Sequence, residues 1–223
     1  MVRKSNDRSI AGRPSRRSRR RDAQRDTILK AAGRIFRERG YAETGMRDIA
    51  GAADLSPANL YHYFRGKDEI LFYCQDRALD RMLAAVTNHR QPGPGAAERL
   101  RGVLMAHLDT MLDAVEGASA HLQVESLPPA LRERIVRKRD RYERAVRRLI
   151  ERGRDAGELT TDDAALVTRA MLGALNWTVT WFRHDGPQDA QAVSRVLADF
   201  LVRGVTSGTT GTTGTTGTRV RAG

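Results

Sequence analysis

The chain has 223 residues, 40% of them hydrophobic and 5% aromatic, with a formal net charge of +12. That size suits a small unit beside a larger one with a real core, and helical periodicity along most of a Pro-poor chain points to an all-α protein. A lone cysteine, Cys74, excludes an internal disulfide and suits a reducing cytosol; no apolar run opens the chain and the longest uncharged stretch of mostly apolar residues, Ala170 to Phe182, is too short to cross a bilayer, so a soluble cytoplasmic protein with no membrane partner is expected.

The charge is uneven. Residues 1–21 carry nine Arg or Lys against one Asp, and Arg219 with Arg221 add two more positive charges, which leaves only +2 for residues 22–218. The stretch Arg13, Pro14, Ser15, Arg16, Arg17, Ser18, Arg19, Arg20 and Arg21 has nothing to bury, and residues 1–21 read as a disordered basic arm. A helix is predicted from Asp22 to Arg39, with Ile28, Leu29, Ala31, Ala32, Ile35 and Phe36 as its apolar stripe. Arg37 and Arg39 suit its C-terminal dipole, and Gly40 supplies the residue after its end, with Tyr41 as a core plug.

Residues 44–64 then read as two very short helices joined by a tight turn. The first starts near Thr44 or Gly45 and sets Met46, Ile49, Ala50 and Ala53 on one face. Asp54 sits where the backbone turns, with a positive φ that Asp tolerates. Ser56 is an N-cap type and Pro57 fits the first helical position of the second helix. Helices this short are unstable alone, so they lean on the preceding one. The result is a three-helix helix-turn-helix head, motif 45–64, whose last helix suits a DNA major groove about 12 Å wide.

A longer helix follows, Asp68 to Asn88, carrying Ile70, Leu71, Leu79, Met82, Leu83 and Val86. Taken together, Gly40-Tyr41, Met46 through Ala50, Leu55-Ser56, Leu60 through Phe64 and Lys67 through Leu71 resemble the N-terminal domain of TetR-family transcriptional regulators, over roughly residues 22–80. Two positions depart from that pattern: Gly45 stands where the family usually has Ser or Thr, and Asp54 where it has Gly. Gly is an acceptable N-cap and Asp tolerates the turn, so neither threatens the fold.

Leu60 and Phe64 point inward by character, which leaves Pro57, Ala58, Asn59, Tyr61, His62 and Tyr63 to face a double-stranded operator together with the cap Ser56. Asn59 suits an adenine edge, Ala58 a thymine methyl, and Tyr61, His62 and Tyr63 phosphate or base. Thr44, Arg47 and Lys67 stand at helix starts as phosphate anchors. Packing is the competing role for Tyr61 and Tyr63, and an ion pair with Asp48 that for Arg47. Beside such a head the basic arm suits phosphate neutralisation or minor-groove insertion, against the plainer role of a solubilising tail.

With the head taken as residues 22–82, residues 83–205 read as a helical body and residues 206–223 as a low-complexity Gly/Thr tail without function, for about nine helices in all. After a break at Gln91 to Gly95, a helix from Ala97 to Val115 carries Leu100, Val103, Leu104, Leu108, Met111 and Leu112. An irregular piece near Ser119 to Glu125 leads to Pro128-Pro129 and a charged helix ending near Ala156, with Gly157 and Leu159 as its cap. Thr160 through Asp163 resemble a capping box. They open a segment apolar nearly all round, including Leu166, Ala170, Met171, Leu175, Trp177, Trp181 and Phe182. One subunit has too few helices to cover it, so a homodimer through the last two helices is expected, the final one spanning about Pro187 to Arg203. The family resemblance implies the same arrangement, a four-helix bundle and a near-palindromic operator.

Phe72, Met82, Met105, Leu108, Met111, Trp177 and Trp181 are candidates for an apolar effector pocket, although such residues at helical spacing also make plain core. The resemblance implies a small-molecule effector that releases a repressor from DNA, and the stretch from Asn176 to Pro187 is similar to that of members responding to acyl-CoA thioesters. Under that reading, arginines between Arg132 and Arg148 would pair with CoA phosphates, unless they merely solvate a helix face. The alternatives are a DNA-binding dimer without an effector and one with a hydrophobic drug-like effector. No catalytic arrangement, cofactor motif or metal spacing stands out; His121 and Glu125, four apart, are the one weak metal candidate, and an enzyme is not expected.

Overall fold

The computed structural model describes residues 15–88, 93–113 and 124–206. Among them are eight α-helices, one short 3₁₀ turn at Val124–Ser126 and no strand. The helices are α1 (Arg16–Arg39), α2 (Met46–Ala52), α3 (Pro57–Tyr61), α4 (Lys67–Asn88), α5 (Ala96–Met111), α6 (Pro129–Asp155), α7 (Ala164–Trp181) and α8 (Ala190–Thr206). Residues 1–14 of the basic arm, Gln91 and Pro92 of the break at Gln91 to Gly95, Val115, most of the piece from Ser119 to Glu125 with His121, and the tail from Ser207 onward lie outside the described residues.

One boundary corrects the sequence reading. Helix α1 begins at Arg16, six residues before the expected Asp22, so Arg16 to Arg21 are helical rather than disordered. Ser15 caps it by accepting from the Ser18 amide at 3.1 Å, and the Ser18 hydroxyl faces Asp22 at 3.3 Å. A cap residue placed ahead of a run of arginines, which are good helix formers, is enough to extend a helix already anchored by its buried stripe of Ile28, Leu29, Ala32, Ile35 and Phe36. At the other end Gly40 (φ 82°) turns the chain with its amide on the Phe36 carbonyl.

Helices α2 and α3 are held by α1 and α4, which bury Ile49, Ala50, Leu60 and Phe64 in one continuous core. Helix α4 continues into the body, where α5 and α6 pack on it and α7 and α8 pack on those. Gly157 (φ 72°) and the buried Leu159 close α6, and both Glu158 and Leu159 amides return to the Gly153 carbonyl. Gly153 is a crossing point: a Cβ there would meet Leu159 at 2.6 Å and the Ala96 methyl at 2.7 Å. Asp163 caps α7 by accepting from the Ala165 and Leu166 amides. Polar ties complete the body, with Arg101 reaching Asp199 at 2.5 Å between α5 and α8, and the Thr160 amide reaching the Val205 carbonyl at 2.7 Å.

The last two helices each have two apolar faces. Helix α7 buries Ala164, Met171 and Leu175 together with Thr168 and Thr178, while Leu166, Trp177 and Trp181 stand outward at 62%, 67% and 41% exposure. Helix α8 buries Val193, Ala198, Val202 and Val205 and leaves Val196 and Phe200 65% and 63% exposed.

Candidate nucleic-acid interface and body cavity

The head is built from the turn outward. Asp54 takes φ 53°, the left-handed conformation the sequence required of it, and the Leu55 amide returns to the Ala50 carbonyl at 2.9 Å. Ser56 accepts from the Asn59 amide at 3.2 Å, and Pro57 opens a helix of only five residues. Because Leu60 and Phe64 are buried, Ser56, Pro57, Ala58, Asn59, Tyr61 and His62 are left on the outer surface, and Arg47 is exposed at the start of α2. Tyr63 is half-buried and packs against the core.

Two expected phosphate anchors have other work. The Thr44 side chain is 1% exposed and its hydroxyl donates to the Gly40 carbonyl at 2.7 Å, so it tightens the α1–α2 corner instead of facing outward. Lys67 is half-buried. Its ammonium donates to the carbonyls of Tyr41, Ala42 and Thr44 at 3.1–3.2 Å and lies 4.6 Å from the centre of the Tyr41 ring. Three donors on three carbonyls occupy the whole ammonium in binding the corner to the start of α4. Tyr41 donates to Asp68 beside it, and burial with that acceptor raises the phenol's pKa. Arg47 does not pair with Asp48: one Asp48 oxygen takes Arg39 at 3.1 Å, and the other accepts from the Gly45 amide at 2.8 Å.

Arg25, which carries no motif of its own, pins the end of the helix-turn-helix. Its guanidinium lies 4.5 Å from the Phe64 ring centre and 4.7 Å from that of Tyr73, and donates to the Tyr63 carbonyl at 3.4 Å. Its sequence signal is faint, an arginine one turn ahead of an apolar stripe.

Inside the body is a partly open cavity of about 540 Å³, walled by Leu79 and Met82 of α4, His107 and Met111 of α5, Tyr142 of α6 and Leu172 and Asn176 of α7, with Val124 of the turn. Arg139, Asp140, Glu143, Arg169 and Gly173 complete its lining. Of the expected pocket residues, Met82 and Met111 line it. Phe72 is closed core beneath the Arg134 guanidinium, Leu108 is wholly buried, and Met105 packs at the core's edge away from the cavity. Trp177 and Trp181 stand on the outer face of α7, because positions four apart on that helix follow its exposed stripe.

The polar centre of this cavity is His107. Its Nδ1 lies 3.2 Å from the Tyr142 hydroxyl and its Nε2 3.3 Å from the Asn176 Oδ1. Burial pushes its pKa down to about 4, so the ring is neutral at pH 7. A neutral ring has one N–H, and both contacts are satisfied when Nε2 donates to Asn176 and the Tyr142 hydroxyl donates to Nδ1. Burial likewise raises the Tyr142 phenol's pKa. Arg139 is half-buried, and loss of solvent depresses its pKa against the field of Glu125, while Arg169 pairs with Glu143 at 3.4 Å. The sequence signal for His107 is a polar residue at a stripe position between Leu104 and Met111 on the α5 face.

No cluster of metal-ligating side chains occurs among the described residues, and no described helix is long and apolar enough to cross a membrane. Glu125 pairs with Arg132 at 2.8 Å.

Two family models match the chain: "Bacterial regulatory proteins, tetR family" over residues 28–74, and "Tetracyclin repressor-like, C-terminal domain" over residues 93–205. The transcriptional repressor KstR2 of Mycobacterium tuberculosis is 27% identical over 192 residues, covering 83% of this chain and 94% of that protein. Among solved structures, the regulator PfmR from Thermus thermophilus superposes with a TM-score of 0.71 at 35% identity, covering 79% of this chain and 97% of its own. AibR, in complex with isovaleryl coenzyme A and operator DNA, has the same fold at a TM-score of 0.67 and 22% identity, covering 82% and 98%.

Proposed function

Since the chain belongs to the TetR family, whose members are transcriptional regulators and not enzymes, we propose that it acts in the cytoplasm as a homodimeric repressor which a small-molecule effector releases from a near-palindromic operator. The observation that carries this reading is the head's geometry: Leu60 and Phe64 are buried while Asn59, Tyr61 and His62 of the same short segment face outward. An outward helix of that kind, doubled by a two-fold axis, suits half-sites about 34–36 Å apart. The dimer is supported by the outer apolar faces of α7 and α8, where Leu166, Trp177, Trp181, Val196 and Phe200 stand exposed.

The effector site is the cavity around His107. Its apolar wall of Leu79, Met82, Met111 and Leu172 suits an acyl or other hydrocarbon body, and the guanidinium groups of Arg139 and Arg169 suit an anionic head. AibR binding isovaleryl coenzyme A supports an acyl-CoA or related apolar acid as the effector class.

The switch runs through α4. Its Leu79 and Met82 wall the cavity, Lys138 of α6 holds Asp76 and Asp80 at 2.6 and 2.8 Å, and Arg77 holds Asp26 of α1 at 2.5 Å. A ligand that favours a tilted α4 moves both heads off operator spacing. Near-complete release needs a preference of about 10⁴-fold, roughly 5.5 kcal/mol.

The test is to recover duplexes from a random-sequence pool with the full-length protein, then titrate an acyl-CoA panel against the complex. Recovery of an inverted repeat and its release by one thioester is the expected result. No duplex recovered at low ionic strength would sink the regulator reading, and a duplex that no thioester releases would sink the effector class.

A further inference from the structure

Helix α1 reaches beyond the head's core by more than two turns, and its extension is not a uniformly charged rod. Arg17, Arg20, Arg21 and Gln24 are spaced 0, 3, 4 and 7, which sets them on one face. Together with Ser15, Ser18, His62 and Tyr63, these four line an open cleft of about 750 Å³ between the start of α1 and the end of the α3 segment. Arg19 falls on the opposite side of the helix and Arg16 on its flank, and neither lines it. The cleft walls are fixed relative to each other by Arg25, one residue past Gln24, which stacks on Phe64 and Tyr73 and donates to the Tyr63 carbonyl.

We infer that this cleft is a second DNA site, in which Arg17, Arg20 and Arg21 grip the phosphate backbone of the duplex just outside the base pairs read by α3. The inference rests on the regulator reading above and adds a distinct contact to it. The cleft's wall at His62 and Tyr63 is the rim of the α3 reading surface, so a duplex lying on Asn59 and Tyr61 continues into it. From Arg17 to Gln24 the helix rises about 10 Å at 1.5 Å per residue. Its three arginines occupy about 6 Å of that rise, close to two steps of the duplex axis at 3.4 Å per phosphate of one strand, which brings about three phosphates within reach. Guanidinium groups pair with phosphate oxygens in a bidentate fork, and Arg17, Arg20 and Arg21 are exposed and make no ion pair within this wall of described residues. The carboxylates near the extension have other partners than these arginines: Asp22 accepts from the Ser18 hydroxyl and Asp26 is held by Arg77. Such contacts carry no sequence information; they add affinity, fix register and lengthen the protected stretch.

The experiment compares the full-length protein with a triple variant, Arg17→Gln, Arg20→Gln and Arg21→Gln, and with a double variant off that face, Arg16→Gln and Arg19→Gln. The probe is the duplex recovered from the random pool by the unmodified protein, with affinity measured by fluorescence anisotropy over a series of salt concentrations. Gln keeps helix propensity, and circular dichroism with light scattering checks fold and mass. The triple variant is expected to flatten the slope of log affinity against log salt by about 2.7 per subunit, from three phosphates at roughly 0.9 each. The double variant is expected to change it by less than about one. Ethylation of phosphates flanking the repeat should weaken the unmodified protein and leave the triple variant unaffected. Equal slope loss per arginine in both variants would reduce the extension to general charge and overturn the inference, as would an unchanged slope in the triple variant. Failure to recover any duplex overturns the regulator reading and this inference with it.

Discussion

The head and the body place their working chemistry on opposite sides of their surfaces. In the head the interior is apolar and the corners are stitched by cations, with Lys67 on three carbonyls and Arg25 between two rings, while Ala58, Asn59 and Tyr61 of α3 face solvent. In the body the polar centre is inside, at His107, Tyr142 and Asn176, and the outer faces of α7 and α8 are apolar. An apolar residue therefore means core in the head, but core, cavity wall or outward-facing apolar surface in the body. The difference is the one expected if, as proposed, the head meets a highly charged duplex and the body a second subunit and a hydrocarbon-rich ligand.

The largest effect expected from this contrast is on assembly. Trp177→Glu should convert the proposed dimer to a monomer by light scattering, since uncovering the indole on both subunits would cost about 4 kcal/mol, roughly a thousandfold in the dimer constant. Tyr61→Glu, at an exposed aromatic of the head, should leave the mass unchanged. A Trp177→Glu dimer as tight as the original would erase the distinction between the two outer surfaces.

Next in size is the pH response of the body. His107 has a folded pKa of about 4 against 6.5 unfolded, so below pH 6.5 the unfolded chain binds a proton that the folded chain refuses. Stability is therefore present in full above pH 6.5 and falls as pH drops to 4, by about 3 kcal/mol from this group. Urea unfolding at pH 7.5 and 4.5 should show the loss, and His107→Gln should reduce it.

In the head the corresponding polar element is a cation whose removal acts on geometry. Lys67→Met should destabilise by about 1.5–3 kcal/mol by thermal unfolding, through the loss of charged hydrogen bonds at the α1–α2 corner. If DNA affinity dropped tenfold with no change in stability, Lys67 would be a direct phosphate anchor after all.

The smallest test compares two caps. Ser56→Ala and Asp163→Ala should each cost about 1 kcal/mol. The Ser56 loss should also weaken DNA binding, because a helix of five residues has no spare turns, whereas Asp163 caps 18 residues far from the head.

The head is largely legible in the sequence because its signals are local. Ser56, Pro57 and Asp54 name a cap, a first turn and a left-handed turn by their backbone chemistry alone. The beginning of α1 is not, because a run of arginines carries no burial signal and its continuation depends on a distant apolar stripe. In the body the stripes give the helices but not their assignment to core, cavity or surface. Trp177 and Trp181 resemble pocket residues in sequence because aromatic character does not record which face a helix turns outward. His107 is hidden among Leu104, Leu108 and Met111, since a polar residue in such a row gains its partners, Tyr142 and Asn176, only across 35 and 69 residues of chain.

Gly153 gives the experimenter a handle. Two other parts of the chain converge on the one hydrogen that serves as its side chain, so an added methyl wedges Ala96 and Leu159 apart at a strain of about 1–3 kcal/mol. A penalty of that size is tolerable in the cold and ruinous near the melting point. Gly153→Ala is thus the natural choice for a heat-sensitive allele, one that lets a culture lose this regulator by warming while its reading surface keeps every native atom.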